Sequence, residues 1–211
     1  MEKNNEEIKS PGWDAICEAF EKVYPGQTDP KHYGVLLSWE LGGNDPLDGI
    51  SIYETDDYYH FVTFGLSEIY EKETDDPDVS GFGMEFTMKL KKSCINPKEE
   101  EQELRCICGI LQSVARITFE SGEVFNANEY IYTGQSTGVD YHTSSPITGF
   151  ILIKDTSVPS ISTPNGSVDF VEFVGCTSEE MLALKNKKAK VAEIYEKIGS
   201  DITDYKRTSA I

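Results

Sequence analysis

This chain lacks two features that would direct a protein into a membrane or across one. None of its 211 residues lies in a run of about 20 apolar residues, the length that a membrane-spanning helix needs. The amino-terminal residues Met1 to Glu7 are polar and acidic, whereas a secretion signal has an apolar stretch there. We therefore expect a cytoplasmic protein without a membrane partner.

Basic residues are scarce in this sequence. The chain has 19 lysines and arginines against 37 aspartates and glutamates, which gives a formal net charge of −18 at pH 7. Proteins that bind the phosphate backbone of nucleic acids need a surplus of positive charge, and so do proteins that bind anionic membranes. The composition therefore argues against nucleic acid or an anionic membrane as a direct partner.

Metal ligands and disulfide partners are also poorly represented. The five cysteines are odd in number, and several lie in apolar patterns where a free thiol packs as a small hydrophobic side chain. None of the three histidines has a second histidine or a cysteine at ligand spacing. Cys106 and Cys108 are one residue closer than the usual zinc-binding pair. We expect a reduced protein with no disulfide framework, no metal and no cofactor.

The segment from Gly81 to Leu90 has the clearest pattern in the chain. Its even-numbered residues are apolar, while its odd-numbered residues include two glycines and Glu85, as in a strand with two different faces. We predict an interior strand around which the fold is organised. A second backbone should approach closely near Gly81 and Gly83, and Glu85 should have a hydrogen-bonding partner if it is covered.

The remaining patterns predict an α+β fold: a mixed, mainly antiparallel sheet with helices packed against it. We expect a polar tail over residues 1–12 and a single domain over residues 13–208. Apolar spacing and turn signals predict helices from Pro11, with Ser10 as cap, to Tyr24, over 99–121, from Thr177 through Leu184 and over 191–198, and strands over 33–41, 50–53, 59–65, 150–153 and 168–174, with a hairpin turn at 163–166. The helix over 99–121 should cover the sheet face that bears Phe82, Met84 and Phe86.

Negative charge is concentrated between residues 40 and 80. This segment has twelve carboxylates and one basic residue, Lys72, so its local charge is −11; the carboxylates are those of Glu40, Asp45, Asp48, Glu54, Asp56, Asp57, Glu68, Glu71, Glu73, Asp75, Asp76 and Asp78. Such a surface either keeps the protein in solution or captures a basic partner. The run 75–78 also has enough carboxylates for calcium, but Pro77 and the absence of a glycine and a terminal glutamate break the usual loop pattern.

Residues 134–138, Gly-Gln-Ser-Thr-Gly, match the pattern around the nucleophile of many hydrolases, with Asp140 and His142 close by. That motif requires a strand before the serine and a helix after it. The residues that follow Ser136 do not predict a helix, so we interpret the match as a loop and keep a hydrolase centred on Ser136 as an alternative.

Five segments together resemble one family. They are 41–48 (LGGNDPLD), 60–70 (HFVTFGLSEIY), 80–87 (SGFGMEFT), 163–166 (TPNG) with 174–177 (VGCT), and 202–204 (ITD). In this order they resemble the Suppressor of fused domain family, over a likeness that runs from about Trp13 to Thr208. Animal members have a second, carboxy-terminal domain, so this chain resembles the stand-alone bacterial members.

The resemblance implies a binding protein and not an enzyme. In animal members two domains clamp an extended peptide of a transcription factor, a form of strand addition. The tyrosine of the family's Leu-Ser-x-x-Tyr element matches Tyr70, and the acidic position before Ser-Gly-Phe-Gly matches Asp76 or Asp78. Stand-alone bacterial members resemble immunity proteins, which neutralise a toxin domain by binding it.

We therefore predict a non-catalytic protein-binding module, of the immunity type, that binds a basic toxin domain or peptide through an acidic surface. The alternatives are the hydrolase and a peptide-binding regulator like the animal members. The predicted partner-binding residues are Tyr70, Asp75, Asp76, Asp78, Asp45, Asp48, Asp56 and Asp57.

Overall fold

The structure is a computed structural model that describes residues 9–211. Four helices are α1 (Pro11–Val23), α2 (Glu100–Ser121), α3 (Ser178–Lys185) and α4 (Val191–Ile198). The strands are β1 (Lys31–Gly34), β2 (Gly49–Glu54), β3 (Tyr58–Phe64), β4 (Val79–Lys91), β5 (Tyr130–Ile131), β6 (Ile147–Lys154), β7 (Ile161–Thr163), β8 (Gly166–Thr177) and β9 (Ile202–Thr203).

The strands form one nine-stranded sheet with the order β1-β2-β3-β4-β8-β6-β5, to which β7 adds beside β8 and β9 beside β4. Most neighbours are antiparallel, whereas β4 pairs in parallel with β8 and β9. The predicted α+β class is therefore confirmed. β4 lies between β3 and β8 in the interior of the sheet, as its alternating pattern predicts.

Helix α2 covers one face of this sheet. Its inward residues, among them Leu104, Ile107 and Leu111, share a core cluster with Met84 and Phe86 of β4. Three apolar positions per two turns are typical of a helix that packs on a sheet with one side and meets solvent with the other. The prediction that the long helix packs on the Phe82, Met84 and Phe86 face is correct.

The opposite face of the sheet has two apolar clusters and a polar seam between them. Helix α1 forms one cluster with β2 and β3, and α3 and α4 form the other with β6 and β8. In the seam, Lys89 of β4 lies 3.2 Å from Glu172 and 2.6 Å from Asp201. His60 lies 2.8 Å from Asp155, and both side chains are fully buried.

Burial and mutual contacts shift the pKa values of the titratable groups in the seam. Burial alone would lower the pKa of Lys89, but its neighbouring carboxylates, Glu172 first among them, hold it above its ordinary value. Burial and the nearby charge of Asp155 raise the pKa of Glu172 to about 8. Asp201 keeps a lowered pKa because hydrogen bonds from Lys89 and Thr156 outweigh its burial.

The predicted strand over 33–41 is wrong beyond Gly34. The last ladder contact is the bond from the Val35 amide to the carbonyl of Asp48, and residues 39–41 form a short 3-10 helix. Leu36 and Leu37 are consequently exposed. Alternation alone does not make a strand, because an edge segment that turns away from its neighbour has no further backbone partners.

Helix α1 begins at Pro11, as the sequence predicts. It therefore includes the last two residues of the segment 1–12 expected to be a tail, and residues 1–8 lie outside the described part of the chain. Ser10 occupies the cap position, but its side chain makes no capping hydrogen bond. The amides of Gly12 and Trp13 instead donate to the carbonyl of Ile69, at 3.1 and 3.2 Å.

Two local signals near the carboxyl terminus are confirmed. The turn at 163–166 joins β7 to β8 as a hairpin. Thr177 and Glu180 form a capping box at the start of α3, in which the Glu180 side chain accepts from the Thr177 amide at 2.8 Å.

Over residues 9–211, no helix is both long and apolar enough to cross a membrane. Nor does this part of the chain bring three histidine, cysteine, aspartate or glutamate side chains together in a way that could hold a metal ion. Cys108 and Cys176 are buried, and burial raises the pKa of each thiol to about 12, so they pack as small hydrophobic side chains.

The central position of β4 predicts a large cost for truncating its core side. Phe86 is fully buried and meets Phe173 and Phe125 edge-on, with ring centroids 5.0 and 5.9 Å away. Phe86→Ala should lower the free energy of unfolding by about 3–5 kcal/mol. Chemical denaturation measures this change, and a midpoint equal to that of the wild type would mean that Phe86 is not part of the core.

Candidate protein-binding site

Residues 65–70 form the first part of the connection from β3 to β4. One carboxylate anchors this loop to the core. Glu85 of β4 is fully buried and accepts hydrogen bonds from the amides of Gly65 and Ser67, at 3.0 and 2.9 Å, and from the Ser67 hydroxyl at 2.7 Å. Its second oxygen accepts from the hydroxyl of Thr63 at 2.5 Å. The expectation that a covered Glu85 would have partners is confirmed.

The carbonyls of the same loop are bound from other sides. The Phe82 amide donates to Leu66 at 2.9 Å, and the side-chain amide of Asn165, in the β7–β8 turn, donates to Glu68 at 2.7 Å. Gly81 has a φ of +55°, and a Cβ there would lie 2.8 Å from the Leu66 carbonyl oxygen. The close backbone approach predicted at Gly81 is therefore present, and it requires glycine.

The loop forms one wall of an open groove of about 260 Å³, which we call the Tyr70 groove. Leu66, Phe82 and Phe119 supply its apolar lining, and the two phenylalanine rings meet edge-on with centroids 5.4 Å apart. The polar part of the lining is mainly acidic; it consists of Glu40, Asp48, Glu68, Glu71 and Glu73 with Ser67, Thr74 and Tyr70. The groove thus combines an apolar floor with a negatively charged rim.

Burial and neighbouring charges shift the pKa values of two residues at the rim of the groove. Tyr70 is 48% exposed, and partial burial together with the charge of Asp48 raises the pKa of its hydroxyl. Partial burial and the nearby carboxylate of Glu40 raise the pKa of Asp48. A cation that entered the groove would relieve this repulsion between Asp48 and Glu40.

Lys72, the one basic residue of the acidic segment, forms its hydrogen bonds within that segment. Its ammonium donates to Glu68 at 2.9 Å, to Thr74 at 2.8 Å and to the carbonyl of Val79. Burial would raise the pKa of Glu68, but the bonds from Lys72 and from the amides of Thr74 and Glu73 lower it to about 2. The other carboxylates of this loop therefore keep an uncompensated negative charge.

The structure brings five of the predicted partner-binding residues to one end of the sheet. Asp48 and Tyr70 line the groove. Asp75, Asp76 and Asp78 are exposed on the adjoining loop, where Asp76 accepts from the Asp78 amide at 2.9 Å. The carbonyl of Asp78 accepts from the amide of Ser167 at 2.9 Å, which fixes the end of this loop against β8.

The other three predicted residues lie elsewhere. Asp45 faces α2 and pairs with Arg116 at 3.3 Å, in a separate cleft. Asp56 and Asp57 form the β2–β3 turn, where the Asp57 carbonyl accepts from the Lys92 amide at the far end of β4, about 30 Å along the strand from the groove. Antiparallel strands place successive turns at opposite ends of a sheet, so the acidic segment does not form a single surface.

Sequence reasoning did not select the groove floor or Glu85 as parts of a site. The alternating pattern assigns Phe82 to the core, and no pattern singles out Phe119. The signal for Glu85 was present, because it is a carboxylate in the middle of an otherwise core-like strand.

Ser136 does not have the surroundings of a hydrolase nucleophile. It is exposed in a loop, with no strand directly before it and no helix directly after it. The carboxylate of Asp140 accepts from the amides of Ser144 and Ser145, at 3.1 and 2.6 Å, and His142 pairs with Glu99 at 3.0 Å. Within residues 9–211, Ser136 has no hydrogen bond to either of them.

Comparison with known proteins identifies the family. A family model described as Suppressor of fused protein (SUFU) matches residues 43–208. The chain belongs to the Suppressor of fused family. The Suppressor of fused homologs of Homo sapiens and Mus musculus are each 30% identical over 185 residues, which covers 81% of this chain and 36% of each relative. The chain therefore spans about a third of the length of those curated relatives.

Two solved structures have the same fold as this Suppressor of fused domain. A chain in the crystal structure of the Sufu–Fu complex superposes with a TM-score of 0.80 at 26% identity, covering 96% of this chain and 93% of that one. Drosophila Suppressor of Fused also gives a TM-score of 0.80 at 26% identity, covering 95% of this chain and 51% of that one. The resemblance inferred from the five sequence segments is confirmed.

The burial of Glu85 predicts a pH dependence of stability in this Suppressor of fused domain. Burial raises its pKa from 4.5 to about 7, even though its hydrogen bonds act in the opposite direction. Between these values the folded state binds more protons than the unfolded state, so the contribution of Glu85 to stability is full below pH 4.5 and is lost as pH rises through 7.

Glu85→Gln mimics the protonated carboxyl and should remove this loss. The free energy of unfolding of Glu85→Gln, minus that of the wild type, should therefore increase between pH 5 and pH 8 when both are measured by urea denaturation. Because Glu172 titrates in both proteins, its contribution cancels in the difference. A difference that does not change with pH would show that Glu85 keeps an ordinary pKa.

Proposed function

We propose that this chain is a non-catalytic protein-binding module that captures a basic partner through the Tyr70 groove and the carboxylates beside it. The single observation that carries this proposal is the combination of an open apolar floor, a half-exposed tyrosine and an acidic rim in one groove. Tyrosine is among the side chains that most often dominate protein interfaces, because it buries a large area and keeps a polar end.

The charge distribution supports a basic partner. Glu71, Glu73, Asp75, Asp76 and Asp78 are all exposed on the loop that borders the groove, and Lys72 is turned inward towards Glu68. An electrostatic surface of this kind speeds encounter with a positively charged partner and disfavours acidic ones. We therefore attribute the charge of the segment to recognition and not to solubility alone.

The partner that we favour is a basic toxin domain, which the chain would neutralise as an immunity-type protein. A strongly acidic binding surface is suited to covering a basic, nuclease-type active site. A peptide-binding regulator is the second candidate, and the size of the groove supports it, since about 260 Å³ accommodates a few side chains of an extended segment. The related Sufu structure with the same fold is that of a complex with Fu.

Co-expression separates these two candidates. The gene next to this one is expressed in a heterologous host, alone and together with this chain, and growth is measured. Rescue of growth by the wild type, but not by a Tyr70→Ala variant, would support the immunity role. Rescue that does not depend on Tyr70 would refute the assignment of the groove.

The carboxylates beside the groove and Tyr70 should affect different rate constants. Replacing Asp75, Asp76 and Asp78 together by asparagine should slow association and weaken its salt dependence, because exposed charges at an interface rim act mainly through encounter. Tyr70→Ala should mainly speed dissociation, because it removes an aromatic anchor that the bound partner would bury. Surface plasmon resonance at low and moderate salt measures both effects.

The chain offers a matched control for the charge change. Asp56 and Asp57 are as exposed as the loop carboxylates but lie at the other end of the sheet. Replacing both by asparagine should leave association with the partner nearly unchanged. Equal slowing in the control and the triple variant would mean that overall charge, and not this surface, guides the encounter.

The binding function and the hydrolase alternative make opposite predictions for a Ser136→Ala variant. Because the loop around Ser136 holds no base within hydrogen-bonding distance of its hydroxyl, Ser136→Ala should retain full rescue of growth and full partner affinity. A folded Ser136→Ala protein that loses this activity would restore the hydrolase and contradict the binding function.

A further inference from the structure

We infer that Glu85 is the positioning residue of the Tyr70 groove: its Oε1 atom holds the Gly65–Ser67 backbone in place and thereby sets where Leu66 and Tyr70 stand. The effect of Glu85 on the loop follows from its hydrogen bonds alone. The effect on binding rests on the proposed function of the groove.

The contacts are unevenly divided between the two carboxylate oxygens. Oε1 receives three bonds, from the amides of Gly65 and Ser67 and from the Ser67 hydroxyl. Oε2 receives one, from Thr63, whose hydroxyl also accepts from the amide of Phe86 at 2.8 Å. One buried oxygen therefore fixes two amides on either side of Leu66, a residue of the groove floor.

This arrangement leaves little freedom between the core and Tyr70. Gly65 has a φ of +120°, a conformation that favours glycine, and the chain bends there at the end of β3. Ser67 is held by Glu85, and the Ile69 carbonyl is held by the first amides of α1. Tyr70 follows directly, and its own carbonyl accepts from the side-chain amide of Asn165 at 3.4 Å, so its backbone is held as well. A binding group held in this way loses less conformational entropy when a partner is bound.

The loop needs an acceptor at the position of Oε1, and the negative charge is not required for it. A glutamine there offers an amide oxygen to the same three donors and an amide nitrogen to Thr63. A leucine fills similar space but leaves the amides of Gly65 and Ser67 buried without a partner. Glu85→Gln and Glu85→Leu therefore separate the positioning role from a mere need for buried volume.

Amide hydrogen exchange of the folded protein, followed by NMR, tests the loop directly. In Glu85→Leu the Gly65 and Ser67 amides should exchange at least about tenfold faster, the effect of losing one buried hydrogen bond. In Glu85→Gln their exchange should stay within about threefold of the wild type, since the acceptor remains. If Glu85→Leu does not fold, Glu85→Asp decides instead, because its carboxylate ends about 1.5 Å short of the loop.

Glu103 provides the matched control. It is also a buried carboxylate that accepts from a loop amide, that of Tyr141 at 3.2 Å, but it lies on α2 away from the groove. Glu103→Leu should leave exchange at Gly65 and Ser67 unchanged. Unchanged exchange at these two amides in both Glu85→Leu and Glu85→Asp would overturn the positioning role.

Binding is measured with a defined probe. A peptide is selected from a random display library on the wild type and retained only if Tyr70→Ala abolishes its binding. Its dissociation constant should rise at least about tenfold in Glu85→Leu or Glu85→Asp, and stay within about threefold in Glu85→Gln. An unchanged constant in a variant with fast loop exchange would refute the link from Glu85 to the groove.

The hydrogen-exchange experiment and the binding experiment can fail independently of each other. If no Tyr70-dependent peptide can be selected, the peptide-binding form of the proposed function is contradicted. The exchange measurement still decides whether Glu85 positions the loop.

Discussion

The structure depends on the fact that β4 is covered on both faces. Its even-numbered residues pack under α2, and Glu85, Thr87 and Lys89 are buried on the opposite face, where each is hydrogen-bonded to other side chains. Apolar side chains need no partners there, but Glu85 and Lys89 do, because an unpaired charge in the interior of a protein is strongly destabilising. Each of them is matched by several groups from other elements. Those requirements join β4 to the rest of the chain.

These two side chains connect β4 to different parts of the molecule. Lys89 contacts Glu172 of β8 and Asp201 beside β9, and so connects the sheet to the carboxyl-terminal segment. Glu85 accepts hydrogen bonds from the loop after β3, which forms one wall of the groove. Side chains of a single strand therefore contact both the carboxyl-terminal segment and the loop that forms the candidate binding surface.

Membership of the Suppressor of fused family fits this arrangement. The segments that carry the resemblance at residues 60–70 and 80–87 are the loop and the strand that Glu85 joins, and the 163–166 segment contributes Asn165 to the same loop. Residues that are distant in the sequence thus meet around residues 65–70. The likeness at these positions reflects one structural unit and not several independent ones.

The sequence by itself determined most of the local structure and the family. Alternating residues identified β4 as an interior strand, helical spacing identified α2 and the face that it covers, and the turn at 163–166 and the capping box at Thr177 follow from side-chain chemistry within a few residues. The need of Glu85 for partners was also evident, because a carboxylate in a core strand cannot remain unpaired.

Only the tertiary structure decided which residues share a surface. The twelve carboxylates of residues 40–80 are close in sequence, yet the reversal of β2 and β3 sends Asp56 and Asp57 to the far end of the sheet and leaves Asp48 with Tyr70. The partners of Glu85, the end of β1 after Gly34 and the contribution of Phe119 to the groove depend on contacts between distant segments. Patterns of period two or 3.6 record which face of an element is apolar, but they carry no information about what that face will meet.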